Sequence, residues 1–392
     1  MKKLLFIAGL IVLLGAEFLK VYLIMPFPGS QESSNVRFAY FLHANIWWIR
    51  LAGVSMVAPL VSTAFRQKRL IPIILIALPL LLYGLLFYAC NFKFLADRIF
   101  VIQHNKIMLP ISGNGVPAEK LIIGIDYKGQ ARAYPLEVIG YHHQVVDTVG
   151  GDPLLITYCT VCRSGRVYSP LVDGRAERFR LVGMDQFNAM FEDATTGSWW
   201  RQETGEAVAG TLAGRQLSDV PSMQMKLGAW MEQFPNTLIL QPDPDFQKQY
   251  DHLKGFDEGT IDGTMEKRDT ASWGRKSWVV GVVSPERIIA FDWNALLQKR
   301  LTIDRDIMVV VEGDGATFHA FIPSVGGAPA IFDLDADSSI LVDRPTGSRW
   351  NLSGYCASGT CAGEQLRPLT AYQEFWHSWQ TFHPETERSR SR

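Results

Sequence analysis

Asp193–Thr237 reads DATTGSWWRQETGEAVAGTLAGRQLSDVPSMQMKLGAWMEQFPNT, and Asp343–Thr386 reads DRPTGSRWNLSGYCASGTCAGEQLRPLTAYQEFWHSWQTFHPET. With one single-residue gap the two align over about 44 positions with 16 identities. Self-similarity at that level marks one structural unit occurring twice. The tightest block sets Gly210–Leu217 (GTLAGRQL) against Gly359–Leu366 (GTCAGEQL). Upstream, Leu121–Ile125 (LIIGI) resembles Trp278–Val282 (WVVGV). The expected division is therefore a first repeat over 93–246, a polar linker over 247–260 and a second repeat over 261–392.

Each copy opens on short strands. In the first, Leu121–Asp126, Pro153–Tyr158, Gly165–Ser169 and Arg178–Val182 are apolar or alternating runs punctuated by Gly, Asp and Pro. A helix is expected late in each copy, over Met223–Phe234 and Ala371–Phe382, stopped by Pro235 and Pro384. Strands first and helix late give an α+β class, mostly β, with largely antiparallel sheet.

The first 92 residues differ in kind. Leu70–Cys90 is 21 residues without a charge, about 30 Å of helix and enough for a bilayer core. Asn45–Phe65 is a second span, with Trp47 and Trp48 suited to the interface and Arg50 the one residue that argues against it. Met1–Met25 reads either as a third span or as a signal peptide. Lys2, Lys3, Arg66, Lys68 and Arg69 belong on the cytoplasmic side. Everything after about residue 92 then lies beyond the membrane, in bacteria the periplasm, where thiols pair or bind metal. The bilayer is the one partner this reading names. A net charge of −1 over 392 residues gives no reason to expect nucleic acid.

Cys159 and Cys162 form a Cys-x-x-Cys in PLLITYCTVCRSGRVYSP. A thioredoxin-type site places this motif at the start of a long helix. Here Ser164-Gly165 makes a turn and a return strand follows, the layout of a metal-binding knuckle. Two chemistries stand: ligation of copper or zinc, with His142 as third ligand, or thiol–disulfide redox. A small structural disulfide is the plain alternative. His143 and Asp147 are possible outer partners, Asp147 orienting a histidine. Met184 and Met190 are soft donors only in a copper reading. Cys356 and Cys361 enclose four residues and are expected as a disulfide, the alternative being a four-thiolate centre shared with Cys159 and Cys162. Cys90 ends the third apolar run as a buried thiol. A third function, protein or glycan binding through Trp-rich faces, competes with reading Gly197, Trp200, Gly205 and Gly210 as fold determinants. No Ser/His/Asp arrangement, phosphate loop or HExxH is present.

At YCTVCRSG and the Trp/Gly block the chain resembles the bacterial family called domain of unknown function 3179. The resemblance runs through His142 with Asp147, then Thr157, Tyr158, Cys159 and Cys162, then Asp193, Thr196, Ser198, Trp200, Gln202, Gly205 and Ala207. Thr160 replaces the family's usual Pro, and Phe191 stands where Met is common. The resemblance favours His142 over His143 and implies no established activity.

Overall fold

The computed structural model describes all residues except 68, 69, 336, 338, 391 and 392. Lys68 and Arg69, part of the expected cytoplasmic cluster, lie outside the described residues. Helix and strand occur in near-equal share, 31% and 32%, and in separate blocks, which makes the class α+β. The chain forms two compact units, 1–101 with 175–216 and 102–174 with 217–392.

In the first unit, helices Lys2–Tyr22, Val36–Gln67 and Leu70–Lys93 are long and apolar enough to cross a membrane. The helix Lys2–Tyr22 packs closely on Val36–Gln67. A Cβ on Gly9 would lie 2.8 Å from the Gly53 carbonyl oxygen, and one on Gly53 would lie 2.6 Å from Leu13 Cγ, the small-residue crossing that lets apolar helices touch. Arg50, the residue that argued against the second span, has its answer in the first. Its Nε and Nη2 donate to the two oxygens of the buried Glu17 at 2.6 and 3.0 Å. Asn91 donates to Glu17 at 2.9 Å and accepts from Lys20 at 2.5 Å. Charge in an apolar bundle survives by facing inward and pairing.

The same unit carries an antiparallel sheet of Phe179–Asp185, Asn188–Asp193, Trp199–Arg201 and Ala207–Ala209. Met190 packs with Ile24, Ala39, Val182 and Trp199 as core, and Met184 donates its backbone N–H to Ile24 at 2.8 Å. Burial opposes the charge of Glu192. Hydrogen bonds from His43 and Trp199, with the Arg180 guanidinium, outweigh it and hold the carboxyl down at about 2.

In the second unit two runs of elements follow the same order. Strands Leu121–Tyr127 and Gln130–Pro135, helix Leu136–His142 and strands Gln144–Val149, Asp152–Cys159 and Ser164–Ser169 have counterparts in order. These are Trp278–Val283, Ile288–Asp292, Trp293–Lys299, Leu301–Asp304, Ile307–Val311 and Phe318–Phe321. Pairing recurs as well. Leu238–Leu240 joins Gln130–Pro135 in parallel, and Glu387–Arg388 joins Ile288–Asp292 in parallel.

Two expectations need correction. Met223–Lys226 is a strand against Leu121–Gly124, and the helix begins only at Leu227. Likewise Thr370–Phe375 pairs with Trp278–Val283 before helix Trp376–Phe382. The central strands need an outer partner, and that tertiary demand overrides local helix preference. Nor is 247–260 a plain polar linker: Gln247–Asp251 is helical, and Tyr250 and Phe256 are each 1% exposed.

One close approach decides a residue. A Cβ on Gly281 would lie 2.3 Å from the Trp379 ring, and one on Gly124 would lie 2.4 Å from the Trp230 ring. Gly281→Ala is expected to destabilise the protein by roughly 1–3 kcal/mol through overpacking, read as a lowered denaturation midpoint.

Candidate functional site

The Trp/Gly block is structural. Trp200 Nε1 donates to Asp193 Oδ2 at 2.9 Å, while Thr196 donates its N–H to Asp193 Oδ1 at 2.6 Å. Trp350, Asp343 and Thr346 repeat this at 2.9 and 2.7 Å. A Cβ on Gly210 or Gly359 would fall 2.5 Å from the Oγ of Ser198 or Ser348. Trp199, Trp200 and Trp350 are fully buried, so they offer no exposed aromatic face.

The cysteine pair sits at a hairpin tip. Cys159 ends one strand opposite Ser164, which opens the next. Arg163 closes the turn at φ 55°, and its N–H donates to the Thr160 carbonyl at 3.2 Å. No helix follows, as expected, but Ser164-Gly165, expected as the turn, opens the return strand instead, and the turn is residues 160–163. Cys159 and Cys162 are 1% and 0% exposed and carry no disulfide.

Residues from 276 to 377 wall this turn. Phe375 N–H donates to the Cys162 carbonyl at 3.0 Å. The Val161 carbonyl accepts from Lys276 Nζ at 2.6 Å, and His377 Nε2 lies 3.3 Å from it. Burial lowers the Lys276 ammonium to about 8, against the pull of Cys162 and Cys159. Burial, with Lys276 beside it, pushes His377 down to about 3. On the strand after the turn, Arg166 pairs with Glu374, their side chains 3% and 0% exposed, and stacks over Tyr372 at 3.5 Å. The Tyr158 hydroxyl is buried with no hydrogen-bond partner, and burial pushes its phenol up.

The histidines are placed otherwise than expected. His142 ends a helix and His143 caps it at φ 62°. His142 Nε2 bonds the Tyr250 hydroxyl at 2.7 Å, and His143 Nδ1 lies 3.0 Å from the Tyr141 carbonyl. Asp147 serves no histidine. It accepts from Tyr134 at 2.8 Å and Lys106 at 2.7 Å, because it lies on the strand beyond the helix end. Among the described residues no three His, Cys, Asp or Glu side chains gather to hold a metal ion. Two thiols alone fall short of the three or four protein donors that zinc and copper centres draw on. Cys356 and Cys361 are buried thiols rather than the expected disulfide. Cys356 Sγ points to the Ser358 carbonyl at 3.4 Å, and Cys361 Sγ lies 3.7 Å from Thr346 Oγ1. Both belong to an apolar core with Met308, Val310, Phe332 and Trp350.

Lys276 and His377 went unread in the sequence. Each is remote in the chain from the cysteines, and Lys276 sits in the charged run GRKSW, which resembles any solvated loop.

His143 carries a pH prediction. Burial pushes it down to about 4 from 6.5, the Tyr141 hydrogen bond only partly offsetting. Between those values the unfolded chain holds the extra proton, so stability falls as pH drops from about 6.5 toward 4, by up to about 3 kcal/mol. His143→Asn, which tolerates the left-handed backbone, should flatten that slope in thermal melts at pH 7 and 4.5.

The family described as Protein of unknown function (DUF3179) has a model that matches residues 111–386. Those 276 of 392 residues span the cysteine turn, its wall and both series of elements. Searches of curated proteins and of solved structures gave no match. The chain is a member of the DUF3179 family.

Proposed function

We propose that this protein is a membrane-anchored, extracytoplasmic thiol–disulfide oxidoreductase with Cys159 and Cys162 as its redox pair. The observation that carries the reading is Lys276, whose ammonium is held on the carbonyl between the two cysteines and interacts with both thiols. A cation beside a thiol favours the thiolate, the form that attacks disulfides. Lys276 takes the part that a helix N-terminus plays in thioredoxin-type sites. The orientation rests on Lys2, Lys3 and Arg66 staying cytoplasmic.

The chemistry balances on the pair. One thiolate attacks a disulfide sulfur, forming a mixed disulfide and expelling one thiolate, which takes up a proton. The second cysteine then attacks the mixed disulfide and releases the other thiol. The pair loses two electrons and two protons, and the substrate disulfide gains them. Both sulfurs are nearly inaccessible, so the turn must open for exchange.

The test equilibrates the full chain in detergent with glutathione redox buffers and counts thiols by mass-tag alkylation. A two-electron transition, lost in Cys159→Ser and in Cys162→Ser, is expected. Cysteines that never oxidise, or stoichiometric copper or zinc that is lost with Cys159→Ser, would overturn the reading.

A further inference from the structure

A cavity of about 270 Å³ lies behind the cysteine turn, just under the ~300–1,000 Å³ of small-molecule sites. Its wall is built from Glu119, Arg163, Lys226, Asp257, Glu258, Arg268 and Trp278.

Its charges are unusual. Arg163 is 1% exposed, yet its guanidinium meets no carboxylate. Nε donates to Gln373 Oε1 at 3.0 Å, and the other contacts go to the carbonyls of Phe256 and Asp257 at 2.9 and 3.2 Å. Three of its five N–H groups are thereby used. Arg268 stacks on a ring that Arg163 also meets, that of Trp278. Its carbon Cζ lies 4.3 Å from the Trp278 ring and that of Arg163 lies 3.7 Å from it. Arg268 Nη2 donates to Asn294 at 2.5 Å, while Arg268 Nε and Trp278 Nε1 are buried donors without an acceptor. Lys226 Nζ bonds only the Asp314 carbonyl, at 2.9 Å. A buried cation is ordinarily neutralised by a partner; Arg163 is buried, Arg268 and Lys226 are half-buried, and none of the three makes an ion pair among the described residues. The carboxylates on the same wall are not hydrogen-bonded to these cations among the described residues. Glu119 and Glu258 are exposed at the rim, Asp257 accepts from the Leu121 N–H at 3.1 Å, and Asp314 caps its own turn through Ala316 and Thr317.

We infer that this cavity binds a small zwitterion of the amino-acid or dipeptide class. Its carboxylate faces Arg163, Arg268 and Trp278, and its ammonium faces Glu119 and Glu258. A guanidinium takes a carboxylate through parallel N–H bonds, and the indole donor supplies a further one. The acidic rim excludes plain anions and gives the ammonium its partner.

The test is calorimetric titration and thermal shift of the full chain in detergent with the twenty free α-amino acids and Gly-Gly. Matched compounds lacking the amine or the carboxylate are run beside them. At least one zwitterion should bind, its single-charge analogues at least tenfold more weakly. Arg268→Met and Glu258→Gln should each weaken binding about tenfold, with ligand-free melting close to that of the parent protein. Binding by none of the probes, equal binding of the carboxylate-only analogue, or indifference to both substitutions would overturn the inference. The Cys159→Ser protein should bind as the parent does, so the result is independent of the thiol chemistry.

Discussion

Replacing Lys276 with Met should slow alkylation of the Cys159–Cys162 pair at neutral pH by roughly ten- to a hundredfold. The ammonium sits on the turn's own carbonyl with the Phe375 ring 4.6 Å away, so little water screens it. Lowered to about 8, it is still charged at pH 7, and the thiolates are the charges it stabilises. Methionine keeps the bulk and removes the charge. The thiols then ionise only at higher pH, which moves the whole pH profile of alkylation upward. Because both sulfurs are buried, the profile's midpoint is the informative quantity rather than the absolute rate. Lys276→Arg should restore most of the shift. A profile that stays put in Lys276→Met would remove Lys276 from the chemistry.

The second large effect concerns Arg166 and Glu374. Arg166→Met should destabilise the protein by roughly 3–5 kcal/mol, since it strands a carboxylate that is 0% exposed. The pair costs desolvation to form, so its removal as a pair is far cheaper. Arg166→Met with Glu374→Met should recover most of the loss, helped by the apolar contact with Tyr372. Denaturant unfolding followed by Trp fluorescence measures all three variants. A single substitution costing under about 1 kcal/mol would mean that water reaches Glu374, and the buried pair would have to be abandoned.

Much of the fold was legible in the chain, for physical reasons. Leu70–Cys90 has no charge, and a 21-residue apolar run has few homes but a bilayer. The hairpin holding the cysteines was half legible: the return strand was read, but its turn falls at residues 160–163 and not at Ser164-Gly165, which open that strand. The late helices were half legible. Pro235 and Pro384 marked their ends, but Met223–Lys226 and Thr370–Phe375 look helical locally and are strands only because a neighbouring strand lacks an edge. Arg50 looked like a defect until Glu17 lay beside it. The candidate site was less legible. Cys159 and Cys162 announce themselves by spacing, whereas Lys276 and His377 reach the turn only through tertiary folding. Asp147, expected to orient a histidine, bonds Tyr134 and Lys106, because it lies on the strand beyond the helix end.

The wall around the turn has an evolutionary corollary. Whatever the first half of the chain does at residues 159–166 is answered by positions 276, 374, 375 and 377 in the second. Neither half is then free to drift alone: a change at Arg166 selects for a compensating change near Glu374, more than 200 positions away. Relatives whose second half has lost the lysine should have altered the cysteines too. The pair of halves would be inherited, and would decay, as one device.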